Sequence, residues 1–433
     1  MTEPAESSWL KSAVKIYAPS LLYSVGLGAV SPIVSLTALS LGASTGLAAA
    51  MITIIGLGSL CMNVPASLLT SRFGERTTMI GAAAWAAIGM GVALWSEHLP
   101  LLAVGIFFVG MAGAAFNLAR QSYLAEVIAP AQRARAMSTL GGTLRIGSLI
   151  GPFAAAGVMI PLGLDGAYWV GLISMLVALV VCWWIPELLT HERDTPLPDS
   201  GASSSKDSPS SKDSPSSQPS QGSHTRHVAK EPLSPLPRGT SVRAVAKRHA
   251  RVFGTVGIGV VLISGVRAAR VAVVPLWADA IGLEPSVAAL IYGLSGLIEV
   301  FVFYPAGKLM DQRGRVFVAV PSMALMGVAL VFLPFTDGVV SLAIVAMLLG
   351  FGNGLGSGIV MTLGADYAPA ATRPQFLGLW RLGSDTGIMA MPLILSTVTA
   401  TASLASGIWV VSAAAFLGAL ILGIFIPRTP RQA

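Results

Sequence analysis

Six charged residues lie inside stretches of sequence that are otherwise apolar over a membrane-spanning length. They are Arg145, Arg267, Arg270, Glu299, Arg381 and Asp385. An ionisable side chain at such a depth is expensive in a bilayer, faces the interior of a helix bundle and marks a functional site by default. At a rise of about 1.5 Å per residue, Glu299 lies about 20 Å and Asp385 about 14 Å into their helices, so both fall near mid-membrane.

Glu299 has the chemistry that proton coupling requires. It is the one acid in the core of its stretch, and Arg267 and Arg270 of the preceding stretch are its natural partners. A carboxylate that alternates between an apolar pocket and an arginine neighbour can change its protonation state with conformation. Arg381 and Asp385 are four residues apart, so they share a helix face and can pair. A permanent structural salt bridge is the alternative for each pair.

The elements that position these charges are predicted to be transmembrane helices. Hydrophobic residues make up 54% of the 433-residue chain and charged residues 11%, whereas soluble domains carry about 25% charged residues. Each crossing needs about 20 mostly apolar residues. Such windows lie near residues 17–41, 46–70, 77–96, 101–124, 137–160 and 166–187, and near 252–282, 286–310, 316–336, 339–363, 376–398 and 403–426. Because these stretches are too long for barrel strands, we expect an all-α membrane protein with 12 transmembrane helices.

The loop charges predict the orientation of the bundle. Basic residues fall on one side of the predicted helices: Lys11, Lys15, Arg72, Arg76, Arg133, Arg135, Lys308, Arg313, Arg315, Arg373, Arg428 and Arg431. The opposite loops carry Glu97, His98, Asp165, Asp279, Glu284 and Asp337. The positive-inside rule therefore places both termini in the cytoplasm, in a multi-pass protein of the cell membrane. Arg120 and Glu126, near the cytoplasmic end of the fourth helix, are interpreted as interfacial anchors.

Three regions follow from composition. Residues 1–190 form an N-terminal six-helix half, residues 191–250 a disordered cytoplasmic linker rich in Ser and Pro, and residues 251–433 a C-terminal six-helix half. The linker cannot bury enough apolar surface to fold. Its basic end could contact anionic lipid or merely enforce topology. The scattered basic residues exclude nucleic acid as a partner, and the chain carries no motif for a cofactor, a metal or enzyme chemistry.

The two halves repeat each other in sequence. Gly314 follows Gly74 by 240 residues, and Gly350 follows Gly110 by the same spacing. Arg381 follows Arg145, and Gly387 follows Gly151, by 236 residues. Near-constant spacing over several helices predicts two halves related by a pseudo-two-fold axis along the membrane normal. In such proteins the binding site lies near the midplane between the halves.

Two segments resemble motifs of the major facilitator superfamily. The segment 307–315 resembles the signature loop G-x-L-x-D-x-x-G-R, and the copy at 67–76 departs from it with Ser67 and Ser71. The gating residues that this resemblance implies are Gly307, Asp311, Arg313, Gly314 and Arg315, with Arg72, Gly74 and Arg76 in the first half. Asp311 is expected to pair with a helix N-terminus or an arginine, or else to shape its turn.

The fifth helix resembles a motif of 12-helix drug:proton antiporters. Its residues Gly147, Gly151 and Pro152 match G-x-x-x-G-P-x-x-G-G, although the final pair is replaced by alanine. The arginine usual in the fourth helix is also absent, since Ile106 stands where it would fall. The small residues and the proline allow close packing and bending of this helix, and ordinary packing explains the glycines equally well.

Together these features predict a secondary active transporter that exports small molecules by alternating access with proton coupling. The expected partners are a small-molecule substrate, amphiphilic or cationic, together with protons and membrane lipid, and the expected state is a monomer. A sugar or metabolite permease is the nearest alternative. A lipid translocator or a non-transporting sensor on the same scaffold is the alternative from a different class.

Overall fold

The computed structural model describes residues 5–128, 133–184, 242–369 and 372–428. These residues are helical, with no β-strand among them. The first half contains α1 (Ala5–Val30), α2 (Val34–Ser40), α3 (Thr45–Phe73), α4 (Glu75–Leu94), α5 (Leu99–Val127), α6 (Arg133–Leu162) and α7 (Asp165–Trp183).

The second half begins with two short helices, α8 (Val242–Arg248) and α9 (Ala250–Val252), and a π-helical turn at Phe253–Gly257. It continues with α10 (Ile258–Ala280), α11 (Pro285–Arg313), α12 (Val316–Phe332) with a 3-10 turn at Leu333–Phe335, α13 (Val339–Leu355), α14 (Ile359–Tyr367), α15 (Arg373–Thr401) and α16 (Leu404–Arg428). Both halves belong to one structural unit.

Twelve spans are present in the described part of the chain, which confirms the predicted fold class. Eleven are long and apolar enough to cross a membrane by length and composition. The twelfth, α15, has 29 residues and is made more polar by Arg381 and Asp385. An all-α bundle satisfies its backbone groups within each helix, as a bilayer requires.

The helices of the two halves pack in matching pairs. In the first half α1 packs on α6 and α7, α3 on α5, and α4 on α5 and α7. In the second half α10 packs on α15 and α16, α11 on α13, and α12 on α13 and α16. The halves meet where α3 packs on α15 and where α6 packs on α11. This is the arrangement expected of two six-helix repeats.

Repeated glycines set the closest of these approaches. A Cβ on Gly151 would overlap the Val25 carbonyl oxygen, and a Cβ on Gly387 would overlap that of Val261. Since these helices touch backbone to backbone, the small residue is required at both positions. The fifth-helix motif of the sequence therefore brings α6 against α1, and its counterpart brings α15 against α10.

The turn after α3 recurs after α11. Gly74 has φ 82° and Gly314 has φ 94°, a backbone conformation that residues with a Cβ rarely adopt. We call the end of the bundle that carries these turns the motif end, and the opposite end the far end.

One span is broken near its middle. The turn Gly356–Ser357–Gly358 separates α13 from α14, and Gly358 is left-handed with φ 81°. The corresponding span of the first half, α5, runs without a break over 29 residues. Non-helical backbone at membrane depth is tolerated only where protein or a cavity surrounds it, so the break marks an interior position.

The predicted linker lies mostly outside the described residues, which resume at 242. Its last part, however, is helical rather than irregular, since α8 begins at Val242. Val245 is buried there, which gives the short helix an apolar contact and explains why it folds despite its basic composition.

The backbone contact at Gly387 predicts a specific loss of stability. Gly387→Ala should push α15 away from α10 and lower the free energy of unfolding by about 1–3 kcal/mol, the usual cost of overpacking. The matched control is Gly378→Ala in the same helix, where an added Cβ meets no atom within 4 Å. Thermal unfolding of the purified variants measures both. Equal unfolding temperatures for the two variants would contradict the tight contact.

Candidate functional site

Glu299 is the centre of a charged cluster in the middle of the bundle. Its side chain is 18% exposed and accepts hydrogen bonds from Arg145 Nη1 at 2.9 Å, Arg270 Nη2 at 3.1 Å and Asn353 Nδ2 at 2.5 Å. Arg270 comes from α10 and Asn353 from α13, both in the same half as Glu299. Arg145 comes from α6, so the ion pair Arg145–Glu299 joins the two halves.

The two paired arginines are held by further neighbours. Arg270 also donates to Ser295 Oγ at 3.2 Å, and its guanidinium lies 5.5 Å from the centre of the Tyr292 ring. Arg145 donates to Ser357 Oγ, and its guanidinium lies 4.3 Å from the centre of the Phe303 ring. Charge-assisted bonds and cation–π contacts of this kind fix both guanidinium planes around the carboxylate.

The break in the tenth span supplies part of this cluster. Asn353 stands in the last turn of α13 and Ser357 in the break itself, next to the left-handed Gly358. Neither residue was predicted from the sequence. The signal was present in the alternation Gly352-Asn353-Gly354-Leu355-Gly356-Ser357-Gly358, because glycines at this density interrupt a transmembrane helix and place polar groups at the break.

Arg267 lies beside the cluster without an ion pair to Glu299. Its Nε and Nη2 atoms are buried and have no hydrogen-bond partner among the described residues. Nη2 lies 2.6 Å from the position that a Cβ would occupy on Gly356, so Arg267 packs against the break. Of the two α10 arginines expected to partner Glu299, the structure thus pairs Arg270 and leaves Arg267 close by.

Arg381 and Asp385 do not join the cluster. Ion pairs recorded within the described ranges are Arg145–Glu299, Arg270–Glu299 and Arg315–Asp366. Arg381 is exposed and Asp385 is half-buried. The expected pairing between them is not formed, because helical spacing of four residues permits a pair but does not draw an exposed arginine out of a polar environment.

The motif end carries a different ion pair from the expected one. Asp311 is exposed and enters none of the recorded ion pairs. Instead Arg315 donates from Nε to Asp366 Oδ2 at 2.7 Å and from Nη2 to Asp366 Oδ1 at 3.2 Å. This fork links the turn after α11 to the end of α14. In the first half, Arg76 Nη2 donates to the Trp183 carbonyl oxygen at 2.6 Å.

Arg120 is buried rather than interfacial. It is 3% exposed, donates from Nη2 to Asn117 Oδ1 at 2.6 Å, and lies 5.9 Å from the centre of the Phe116 ring. Tyr23 stacks on the same ring at 4.1 Å. The interpretation of Arg120 as an interfacial anchor is therefore wrong, since its side chain is buried beside Phe116, on which Tyr23 of α1 stacks.

Comparison with known proteins agrees with this architecture. The family described as Major Facilitator Superfamily matches residues 20–371 and 256–433. The chain belongs to this superfamily. This confirms the superfamily and the multi-pass all-α membrane fold that the sequence predicts.

Two curated relatives match part of the chain. The "Na(+), Li(+), K(+)/H(+) antiporter" of Planococcus maritimus is 26% identical over 152 residues, 34% of this chain and 36% of the relative. The inner membrane transport protein YajR of Escherichia coli (strain K12) is 26% identical over 173 residues, 39% of this chain and 37% of the relative. The chain spans little more than a third of the length of either protein.

Solved structures share the fold over almost the whole chain. A D-xylose-proton symporter aligns with TM-score 0.68 and 14% identity, covering 95% of this chain and 98% of that one. A POT family transporter in complex with a thioalcohol-conjugated peptide aligns with TM-score 0.72 and 11% identity, covering 96% of each. The nucleoside transporter NupG aligns with TM-score 0.67 and 12% identity, covering 95% and 98%. At these identities the likeness concerns the fold alone.

The ion pair that joins the halves predicts a measurable coupling energy. In a double-mutant cycle of Arg145→Gln and Glu299→Gln, the losses of unfolding free energy should be non-additive by about 1–3 kcal/mol, because each single change removes the same cross-half ion pair. The control cycle pairs Glu299→Gln with Arg381→Gln, which should add to within about 0.5 kcal/mol. Additive behaviour in both cycles would show that the cross-half contact contributes nothing.

Proposed function

We propose that this protein is a proton-coupled secondary active transporter that works by alternating access, with Glu299 carrying the coupled proton. The observation that carries the proposal is the position of Glu299 between arginines of the two halves. Membership of the superfamily supports transport, and this geometry supports proton coupling.

The cross-half ion pair lies where contact between the halves ends. At the far end a Cβ on Gly46 would lie 2.8 Å from the Ser396 carbonyl oxygen, and one on Gly293 would lie 3.0 Å from Phe153 Cε2. From Glu299 toward the motif end, one face of α11 is exposed, with Phe301 69% and Tyr304 80% exposed. A rocking motion that opens the far end and closes the motif end must therefore act on the contact between α6 and α11.

Such a motion changes the partners of Glu299 unequally. Arg270 and Asn353 belong to the same half and move with Glu299, whereas Arg145 belongs to the other half. Separation from Arg145 removes one of the two cations bonded to the carboxylate, and a buried carboxylate with fewer cationic partners binds a proton more readily. Conformation and protonation of Glu299 are then linked, as coupled transport demands.

Two directions of transport have support from different observations. Export in exchange for protons is the prediction from the fifth-helix motif, whose Gly147 and Gly151 pack α6 against α1. Uptake together with protons is favoured by the excess of arginine around Glu299. A sugar or metabolite permease belongs to this second candidate. The residues at the motif-end turns, Arg72, Arg313 and Arg315, favour a cytoplasmic location for that end and for both termini.

Replacement of Glu299 tests the proposal in reconstituted vesicles. A solute taken up by wild-type protein under an imposed pH gradient is first found by mass spectrometry of a metabolite mixture. Glu299→Gln should abolish accumulation of that solute against its gradient but retain exchange of labelled for unlabelled solute, because glutamine keeps the size and cannot titrate. Asp385→Asn should accumulate the solute as wild type does.

The variant must be shown to be folded before it is interpreted. If Glu299 were only a counter-ion, its loss would strand Arg145 and Arg270 at a cost of about 3–5 kcal/mol and reduce the yield of folded protein. Glu299→Asp, which keeps the charge, should then restore the yield. Folded Glu299→Gln protein that still accumulates solute under the pH gradient would eliminate Glu299 as the coupling residue.

A further inference from the structure

The cluster around Glu299 holds more positive than negative charge. Three arginines, Arg145, Arg267 and Arg270, surround one carboxylate, and its other polar neighbours are neutral: Asn353, Ser295, Ser357 and Tyr292. An excess of two charges in the middle of a membrane protein is unfavourable unless an anion or water compensates it. The cluster as a whole therefore suits a negatively charged ligand and disfavours a cation.

Arg267 has two buried donors on one edge of its guanidinium that make no hydrogen bond in the described part of the chain, Nε and Nη2. Among the described residues, Arg145 and Arg270 are bonded to Glu299 and to serine hydroxyls, and Arg270 has a single further unpartnered donor, Nε. Buried donors of a charged group are normally satisfied, and their desolvation is costly when they are not. The Nε–Nη2 edge of a guanidinium matches the two oxygens of a carboxylate or phosphate.

The break in the tenth span adds an independent feature at the same place. Arg267 packs against Gly356, where no side chain shields the backbone, and α14 begins at Ile359 after the N-cap residue Gly358, which has no side chain to cap it. The first N–H groups of a nine-residue helix and its positive dipole end favour negative charge. Half-helix N-termini at a midplane break serve this purpose in transporters of other folds.

From these observations we propose that the transported solute is an anion, with a carboxylate or phosphate group bound by Arg267 at the break between α13 and α14. The proposal rests on the proton coupling at Glu299 proposed above and adds the substrate class to it. It replaces the amphiphilic or cationic substrate expected from the fifth-helix motif.

The charge of the solute sets the sign of the coupling. Tyr292 is the other titratable group that faces the Glu299 carboxylate. An anion near Arg267 competes with Glu299 for the positive potential of Arg145 and Arg270. A proton on a Glu299 carboxyl oxygen removes this competition, so proton and anion bind together and leave together. Protons that flow down their gradient then carry the anion inward. This geometry therefore favours uptake by cotransport over export by exchange.

Ligand-induced stabilisation of the purified full chain tests the substrate class without any proton gradient. The probes are succinate, inorganic phosphate and sulfate as anions, succinamide as the neutral counterpart of succinate, and 1,4-diaminobutane as a cation, all at equal ionic strength. We expect at least one anion to raise the unfolding temperature and the neutral and cationic probes to have no effect. Arg267→Gln should weaken the apparent affinity for that anion about 10-fold or more.

Two further variants keep the test specific. Arg267→Lys retains the charge but loses the fork, so its affinity should fall between those of wild type and Arg267→Gln. Arg251→Gln removes an exposed arginine outside the bundle and should bind as wild type does. The proposal is overturned if no anion stabilises wild-type protein, if succinamide or the diamine stabilises it as well as succinate, or if Arg267→Gln binds the anion unchanged.

The pH dependence separates this proposal from the proposed coupling. Sulfate keeps its charge between pH 6 and pH 8, so any change in its affinity reports on the protein. Wild type should bind sulfate more tightly at pH 6, and Glu299→Gln should bind it tightly at both values. If sulfate binds through Arg267 with equal affinity at pH 6 and pH 8, the result supports an anionic substrate and contradicts proton coupling at Glu299. Tighter binding of sulfate at pH 8 than at pH 6 would contradict the proposal that proton and anion bind together.

Discussion

One carboxylate in the interior of this protein forms ion pairs with arginines from both halves. Glu299 is bonded to Arg270 in its own half and to Arg145 across the interface. Neither arginine can lose this partner without a large penalty, so the halves cannot separate at this level unless the carboxylate is neutralised or another anion replaces it. The surrounding helices position the two side chains of this cross-half ion pair, Arg145 and Glu299.

The helices bring the charges together through close backbone contacts rather than through loops. Gly151 brings α6 against α1 and Gly387 brings α15 against α10. At these two positions the helices of each half are in direct backbone contact, with no side chain between them. Contact between the halves is most extensive between α3 and α15 and between α6 and α11, and α10 also contacts α2 and α3. A rocking motion of one half on the other has to change these contacts, and the break near Gly358 supplies polar groups beside them.

Much of the fold could be predicted from the sequence, because membrane spans and repeated glycines are local signals. The depth of Glu299 and its pairing with Arg270 followed from adjacent helices. The bond from Arg145 could not be predicted, since it depends on how one half packs on the other. Ser357 could not be predicted from hydropathy, because a broken span is as apolar as an unbroken one. The pair of Arg381 with Asp385 does not form, since a spacing of four residues carries no information on the solvent exposure of either side chain.

The most direct test of the account is the distance between the halves at the far end as a function of pH. Spin labels at Ser40→Cys and Ala402→Cys, in a chain with Cys61 and Cys182 replaced, report this distance by electron–electron resonance. Acidification should shift wild-type protein toward the longer distance, because protonation of Glu299 releases the cross-half ion pair, and Glu299→Gln should show the longer distance at every pH. A distance distribution that ignores pH in wild type, or one that responds to pH equally in Glu299→Gln, would contradict the account.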